Sequence, residues 1–400
     1  MDGLTKSILL WRDWRSVSVS VKQYRTMTVR FYETDRSGYG AYLDDAVNMP
    51  YGKTEEAISA WQEFFGFKPC LFKNGEVVGY LNPNDYTKFE DGTSADITSG
   101  NAGDVMVEFP RRGIKISKSG NTVTLSMTDD PNASGFTYYA HTRGSKKKDY
   151  FYVGAYDGYV ENGYSSSGRL RSLSGKTPSD NFALDDLRRY ARYNGYGYCE
   201  FTFYQHTFIQ CMYLLQFKGN LDSQSMVGYG YVGSAYTTTK TGGTNKKGTT
   251  YGITSSSYPN MYQMKIFGIE DYWGNTLCLL DGVITGNNGY YLTTTDDYSN
   301  TNGYIECIYR GGVSTNIPIL DGYITDTACT SEAGFLPIAA ANNQDHYYYD
   351  YTYTLNSNMI VPAIGGNSSI EQYKGIFTIS FNYSSTKYNR DFTGGRLSYL

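Results

Sequence analysis

Histidine and cysteine are scarce in this chain of 400 residues, with three and six copies. Cys70, Cys199, Cys211, Cys278, Cys307 and Cys329 form no C-x-x-C pair, and His141, His206 and His346 stand far apart, which excludes a zinc ribbon or finger. Buried free thiols are the expectation for the cysteines. Positive charge is scarce as well. Thirty-five lysines and arginines against 39 acids leave a net charge of −4, so no basic field exists to wrap DNA or RNA, and nucleic acid is not an expected partner. The one basic cluster, Arg143 with Lys146, Lys147 and Lys148, lies in a Gly/Ser turn and reads as a solvated loop. No run approaches the roughly 18–20 apolar residues of a membrane span, and residues 1–10 lack the basic start, apolar centre and small-residue cleavage site of a signal peptide. No membrane insertion is expected, and the chain reads as made in the cytoplasm and released within an assembly or by lysis.

Tyrosine is what the chain has in excess, 42 residues beside 44 glycines. So many phenols cannot share one core, because each buried hydroxyl needs a partner. Runs such as 228–231, 196–198 and 347–353 interleave tyrosine with Asn, Ser, Thr and Gly. That mixture makes adaptable recognition surfaces, where rigid rings supply contact area and small polar residues supply hydrogen bonds. An all-β scaffold would also favour Tyr, Thr and Val, but many of these tyrosines sit in turn-rich stretches.

Along the chain, alternation at Val17, Val19 and Val21 and at residues 27–32 predicts strands. Residues 54–65 read as a helix capped by Thr54 with Glu55 and Glu56 in its first turn. Asn74-Gly75 between two apolar runs predicts a hairpin, and Ser119-Gly120-Asn121 a second turn. A start signal at residues 177–180 and apolar Phe182, Leu184, Leu187, Tyr190 and Ala191 predict a helix ending near Asn194-Gly195. Residues 202–217 are apolar around most of a helical circumference and must be buried. Residues 219–259 read as a long irregular loop, functional or disordered, and from residue 264 onward short strands alternate with turns.

Residues 267–282, Phe-Gly-Ile-Glu-Asp-Tyr-Trp-Gly-Asn-Thr-Leu-Cys-Leu-Leu-Asp-Gly, resemble the signature of the formylglycine-generating-enzyme family, a branch of the C-type-lectin fold. Gly268, Asp271, Gly274, Asn275 and Asp281 fit it beside Trp273, while Leu277 and Leu279 replace the usual tryptophans. Gly394, Gly395, Arg396 and Leu397 look like the family's closing G-F-R-L strand. A narrower resemblance, to phage tail and tail-fibre proteins carrying this module, rests on residues 104–110, 152–158, 173–178 and 219–225 and extends over about residues 69–400.

The resemblance implies an α+β chain: a C-type-lectin-like module with two helices and many short antiparallel strands, preceded by a β-rich N-terminal segment. Residues 1–68 would serve attachment or oligomerisation, 69–178 would form the β-rich first part of the module, and 179–400 the receptor-binding part. It further implies a virion protein, a tail-tip or tail-fibre adhesin that meets a host cell-surface glycan or protein, contacts other virion proteins and forms a homo-oligomer, with three copies expected. Candidate ligand-binding residues are Tyr347, Tyr348, Tyr349, Tyr351, Tyr353, Asn382, Tyr383, Tyr388, Asn389 and Arg390, the last five in a stretch whose composition matches the variable region of diversified relatives. A non-adhesive head or collar component is the alternative.

Enzymes of that family hold copper with a cysteine pair near the C-terminal end. Here Cys307 and Cys329 are the only thiols of the last hundred residues and none precedes residues 394–397 closely, so no catalysis is expected. The adjacent acids Asp185-Asp186 and Asp296-Asp297 are poorly placed for glycoside hydrolysis. Of the histidines, His206 reads as a core residue, His141 borders the basic loop, and His346 precedes the tyrosine run. No cofactor is expected, with a structural calcium ion on Asp296, Asp297, Asn300, Asn302 and Glu306 left open against the ordinary role of such residues in turns.

Overall fold

A computed structural model describes residues 23–34, 39–163, 165, 167–233, 237–255, 261–286, 289–294, 320–342, 348–355, 360–367, 374–384 and 392–400. The architecture is α+β, with four helices and mostly antiparallel strands among the described residues. The helices are α1 (Glu55–Phe65), α2 (Leu184–Arg192), α3 (Phe203–Gln216) and the single turn α4 (Ser223–Met226).

The first sheet runs in the order Ala41–Asp44, Thr26–Tyr32, Thr122–Thr128, Gly113–Ser119. Its strands alternate as the sequence predicts: Val123, Leu125 and Met127 are buried, with Thr and Ser between them turned outward. The expected turn at Ser119-Gly120-Asn121 joins its last two members. A central antiparallel sheet follows the order Tyr198–Glu200, Leu397–Tyr399, Tyr150–Gly154, Asp104–Pro110, Lys68–Lys73, Glu76–Asn82, Asp85–Phe89. Asp104–Pro110 is covered on both faces and is buried along nearly its whole length. Asn74 and Gly75, at φ 56° and 84°, make the tight turn between the strands Lys68–Lys73 and Glu76–Asn82. The boundary expected at 68/69 therefore falls inside a strand.

A third sheet of seven strands has the order Pro337–Ala341, Asp321–Thr327, Tyr351–Thr354, Ile379–Ser384, Ile360–Ile364, Leu277–Leu279, Thr393–Gly394. Two of its pairings are parallel, Tyr351–Thr354 with Ile379–Ser384 and Leu277–Leu279 with Thr393–Gly394.

α3 organises the core. All its residues but Tyr204 are buried, and it packs against α1 and the strands Thr26–Tyr32 and Thr122–Thr128. Thr202 caps it in a reciprocal capping box with Gln205, satisfying two end donors, as the sequence places the start. One apolar cluster runs from Met27 through Trp61, Phe109, Phe208 and Trp273 to Phe377 and Leu400, so early and late segments share a single core. A second cluster gathers α2, Leu279, Val361 and Ala363.

Two expectations are corrected. α2 begins at Leu184, not at the start signal of residues 177–180; Ala183 precedes it without a side-chain cap, and Phe182 is buried outside the helix. The described part of the supposed loop is packed rather than free. Thr241, Thr244, Thr249 and Thr250 are buried, and the frame takes the hydroxyl hydrogens of three of them: Thr241 Oγ1 donates to Leu173 O at 2.7 Å, Thr244 Oγ1 to Glu270 Oε2 at 2.5 Å and Thr249 Oγ1 to Gln62 Oε1 at 3.3 Å.

Candidate functional site

The signature residues converge on one buried polar cluster. Arg396 is 2% exposed, and its guanidinium donates to Asp157 Oδ1 at 2.5 Å and to the carbonyls of Gly154, Glu270 and Asp271, each at 3.1 Å. Its backbone N–H donates to Glu200 Oε1 at 2.7 Å. Asn275 Nδ2 donates to Asp157 Oδ2 at 3.1 Å and to Asp271 Oδ2 at 3.2 Å, while Asn275 Oδ1 accepts from the Thr239 N–H at 2.9 Å. Glu270 Oε1 accepts from Gly242 N at 2.6 Å and Oε2 from Thr244 N at 2.7 Å, pinning the 239–250 segment.

Local backbone geometry explains the residue types. Asp271 and Asn275 have φ of 47° and 57°, in the left-handed region that Asp and Asn tolerate. Gly274 sits at φ 82°, and a Cβ there would stand 2.7 Å from Tyr231 N. A Cβ on Gly395 would meet Glu200 Oε1 at 2.5 Å. Trp273 is fully buried and its indole N–H donates to Gly228 O at 2.9 Å. Leu397 is fully buried, and a Cβ on Gly268 would lie 2.8 Å from the Tyr86 hydroxyl. Asp281 takes a bidentate pair from Arg188 of α2, at 2.8 and 2.6 Å, and its carbonyl accepts from Phe203 N at the start of α3.

Burial dominates the electrostatics. It pushes the Asp157 carboxyl up to about 6 despite Arg396, and raises Asp271 well above the carboxylate range, with Glu270 and Asp157 adding repulsion. Glu200 is raised by burial too, and Lys265 is lowered to about 8 by burial, against the pull of Glu270. Asp271 Oδ2 accepts from Gln263 at 2.5 Å, and its Oδ1 has no hydrogen-bond partner among the described residues. A cluster so enclosed holds the frame together rather than meeting a ligand.

The candidate binding residues divide. Tyr348 is fully buried: its hydroxyl donates to Glu33 Oε1 at 2.8 Å and its ring meets Phe377 edge-on at 5.0 Å, so it is a core residue and not a ligand contact. Tyr349 is exposed, and Tyr351 and Tyr353 are half-buried. Register places Tyr353 beside Ser380 across the parallel pair, which brings the 348–353 and 379–384 stretches together on one sheet face. Between Phe381 and Tyr383 the pairing with Pro362 and Val361 slips by one residue; at this bulge Asn382 is exposed, while Tyr383 is half-buried and packs against the second apolar cluster. Asp321 of the neighbouring strand is exposed, extends that face and accepts from the Tyr351 hydroxyl, while Tyr323 is buried edge-on beneath Tyr351 at 5.6 Å. Toward the other edge, Ala363 and Leu279 lie buried under the second apolar cluster, so the open part of the face starts at Ser380 and Tyr353. Tyr347, Tyr388, Asn389 and Arg390 lie outside the described residues.

Sequence reasoning missed Asp321 and Ser380, which carry no motif and join the face only through strand register, and Tyr323, which is buried and supports Tyr351. Among the acids of the cluster, Glu270 stands within the quoted signature and Asp157 within the 152–158 stretch, yet neither was singled out. His206 is a core residue as expected, its Nδ1 2.6 Å from the Tyr272 hydroxyl. His141 is also fully buried, beneath the basic turn. Cys70, Cys199, Cys211, Cys278 and Cys329 are buried free thiols. His346, Cys307, the acids Asp296-Asp297, the other calcium candidates Asn300, Asn302 and Glu306, and the Val17–Val21 alternation lie outside the described residues. Among the described residues no group of three or more His, Cys, Asp or Glu side chains is arranged to hold a metal ion, and no helix is long and apolar enough to cross a membrane. Compared with known proteins, the chain matches no family model, and a search of the curated proteins finds no match.

Proposed function

We propose that the chain is a bacteriophage virion protein, a tail-tip or tail-fibre adhesin whose lectin-like module binds a host-surface glycan or protein. The observation that carries this reading is the meeting of Tyr351 and Tyr353 with the Ser/Asn/Tyr stretch 379–384 on adjacent strands of one sheet. Half-exposed phenol rings beside serine and asparagine offer stacking area and hydrogen bonds at little entropic cost. The module reading is supported by the convergence of the 268–281 signature with Arg396 of the closing strand around Asp157. Weak single-site binding becomes effective when copies repeat, so a homotrimer on a particle with other virion proteins suits the role.

The test has two arms. Labelled electron microscopy of particles locates the protein at the tail tip or fibre, and purified protein stains host cells. Tyr351→Ala with Tyr353→Ala abolishes staining while the melting transition is kept. If those variants instead stop particle assembly, the tyrosine face packs against neighbouring subunits and the protein is a non-adhesive structural component.

A further inference from the structure

A groove of about 640 Å³ lies between α1, the turn after the strand Glu76–Asn82, and the 247–250 segment, away from every residue assigned above to binding. Glu55, Ser59 and Gln62 line it at helical spacing of four and three, so one face of α1 forms a wall. Lys53, Asn84, Lys247, Thr249 and Thr250 complete its polar lining, with Ile58 and Pro83 as apolar side chains beside Gly248.

The walls are held in place. Glu270 anchors Gly242 and Thr244, Tyr86 N donates to Asn245 O at 3.0 Å, Gly268 N donates to Thr249 O at 2.8 Å, and Thr249 Oγ1 donates to Gln62 Oε1 at 3.3 Å. Lys53 Nζ is fixed by the carbonyls of Val227 and Gly252 at 3.1 and 3.2 Å.

Preformed concavities of roughly 300–1,000 Å³ accept small ligands, and an apolar ligand needs an apolar lining that is missing here. A lining that combines hydroxyl, amide, ammonium and carboxylate groups suits a ligand dense in both donors and acceptors. We infer that this groove binds an oligosaccharide, as a second site separate from the tyrosine face. The inference stands on the groove alone and holds whether or not that face binds.

The experiment titrates a panel of neutral and uronic-acid-containing di- to tetrasaccharides into the full chain by calorimetry. Saturable binding of at least one member is expected, weakened tenfold or more by Ser59→Trp, which fills the groove from an exposed helix position, with melting unchanged. Should Ser59→Trp unfold the chain, Gln62→Ala with Asn84→Ala serves in its place with the same expected loss. No saturable binding by any member overturns the inference. Binding that ignores the groove variants also overturns it, and its loss in Tyr353→Ala would assign the sugar to the tyrosine face.

Discussion

Arg396 and Asp157, 239 residues apart in the chain, form an ion pair of 2.5 Å in which neither side chain is more than 3% exposed. The pair ties the closing strand to the end of the strand Tyr150–Gly154, and Asn275 joins it to the signature loop from the far side of Asp157.

Removing one member of such a pair leaves a buried charge without its partner, which costs about 3–5 kcal/mol. Arg396→Met is expected to lose that much stability in urea titration. Asp157→Asn with Arg396→Met is expected to cost less than the sum of the two single changes, since neither charge is then stranded.

Stability between pH 3 and 7 is expected to reflect opposed sets of groups, the buried histidines His141 and His206 on one side and the buried carboxyls Asp157, Asp271 and Glu200, all raised, on the other. Burial lowers His141 and His206 to about 3 from an unfolded value near 6.5, so the unfolded chain binds more protons in that interval. Stability is thereby lost as pH falls below about 6.5, by about 1.4 kcal/mol per unit for each histidine. Asp157 is raised to about 6, so there the folded chain binds the extra proton and stability falls as pH rises from about 4 to 6. Melting curves across this range should slope less in His141→Phe and more steeply toward acid in Asp157→Asn.

Neighbouring tyrosines of one run should behave differently. Tyr348→Ala empties a core position and removes one of the donors to Glu33, which keeps Thr327 and Lys118, and a loss of about 3–5 kcal/mol is expected from the cavity. Tyr353→Ala, half-buried on the open face, should change stability by about 1 kcal/mol or less while weakening attachment to host cells. Equal destabilisation by both changes would count against a binding role for the run.

Glu270→Ala should free the 239–250 segment, because its carboxylate accepts from Gly242, Thr244 and Gln263. Trypsin is then expected to cut faster at the exposed pair Lys246-Lys247, and oligosaccharide binding in the α1 groove should weaken with it.

Elements governed by neighbours in sequence were legible. Thr54 places the start of α1, the apolar circumference of residues 202–217 announces the burial of α3, and Asn74-Gly75 makes its hairpin, because caps and tight turns are chemistry of three or four adjacent residues. The start of α2 was less so: Thr177-Pro178-Ser179-Asp180 has the composition of a cap, but the backbone carbonyl of Gly158 and the N–H of Val160 engage Ser179 outside any helix.

By itself the sequence determined the α+β composition, the buried helix, the hairpins and the residues able to adopt left-handed turns, since each follows from local propensity and periodicity. Only tertiary structure decided the fate of each tyrosine and of the threonine-rich 237–250 segment. Whether Tyr348 enters the core or Tyr353 stays at the surface depends on Glu33 and on strand register, and a buried threonine depends on which distant carboxylate takes its hydrogen. Burial and hydrogen bonding between residues hundreds of positions apart leave no local mark in the chain.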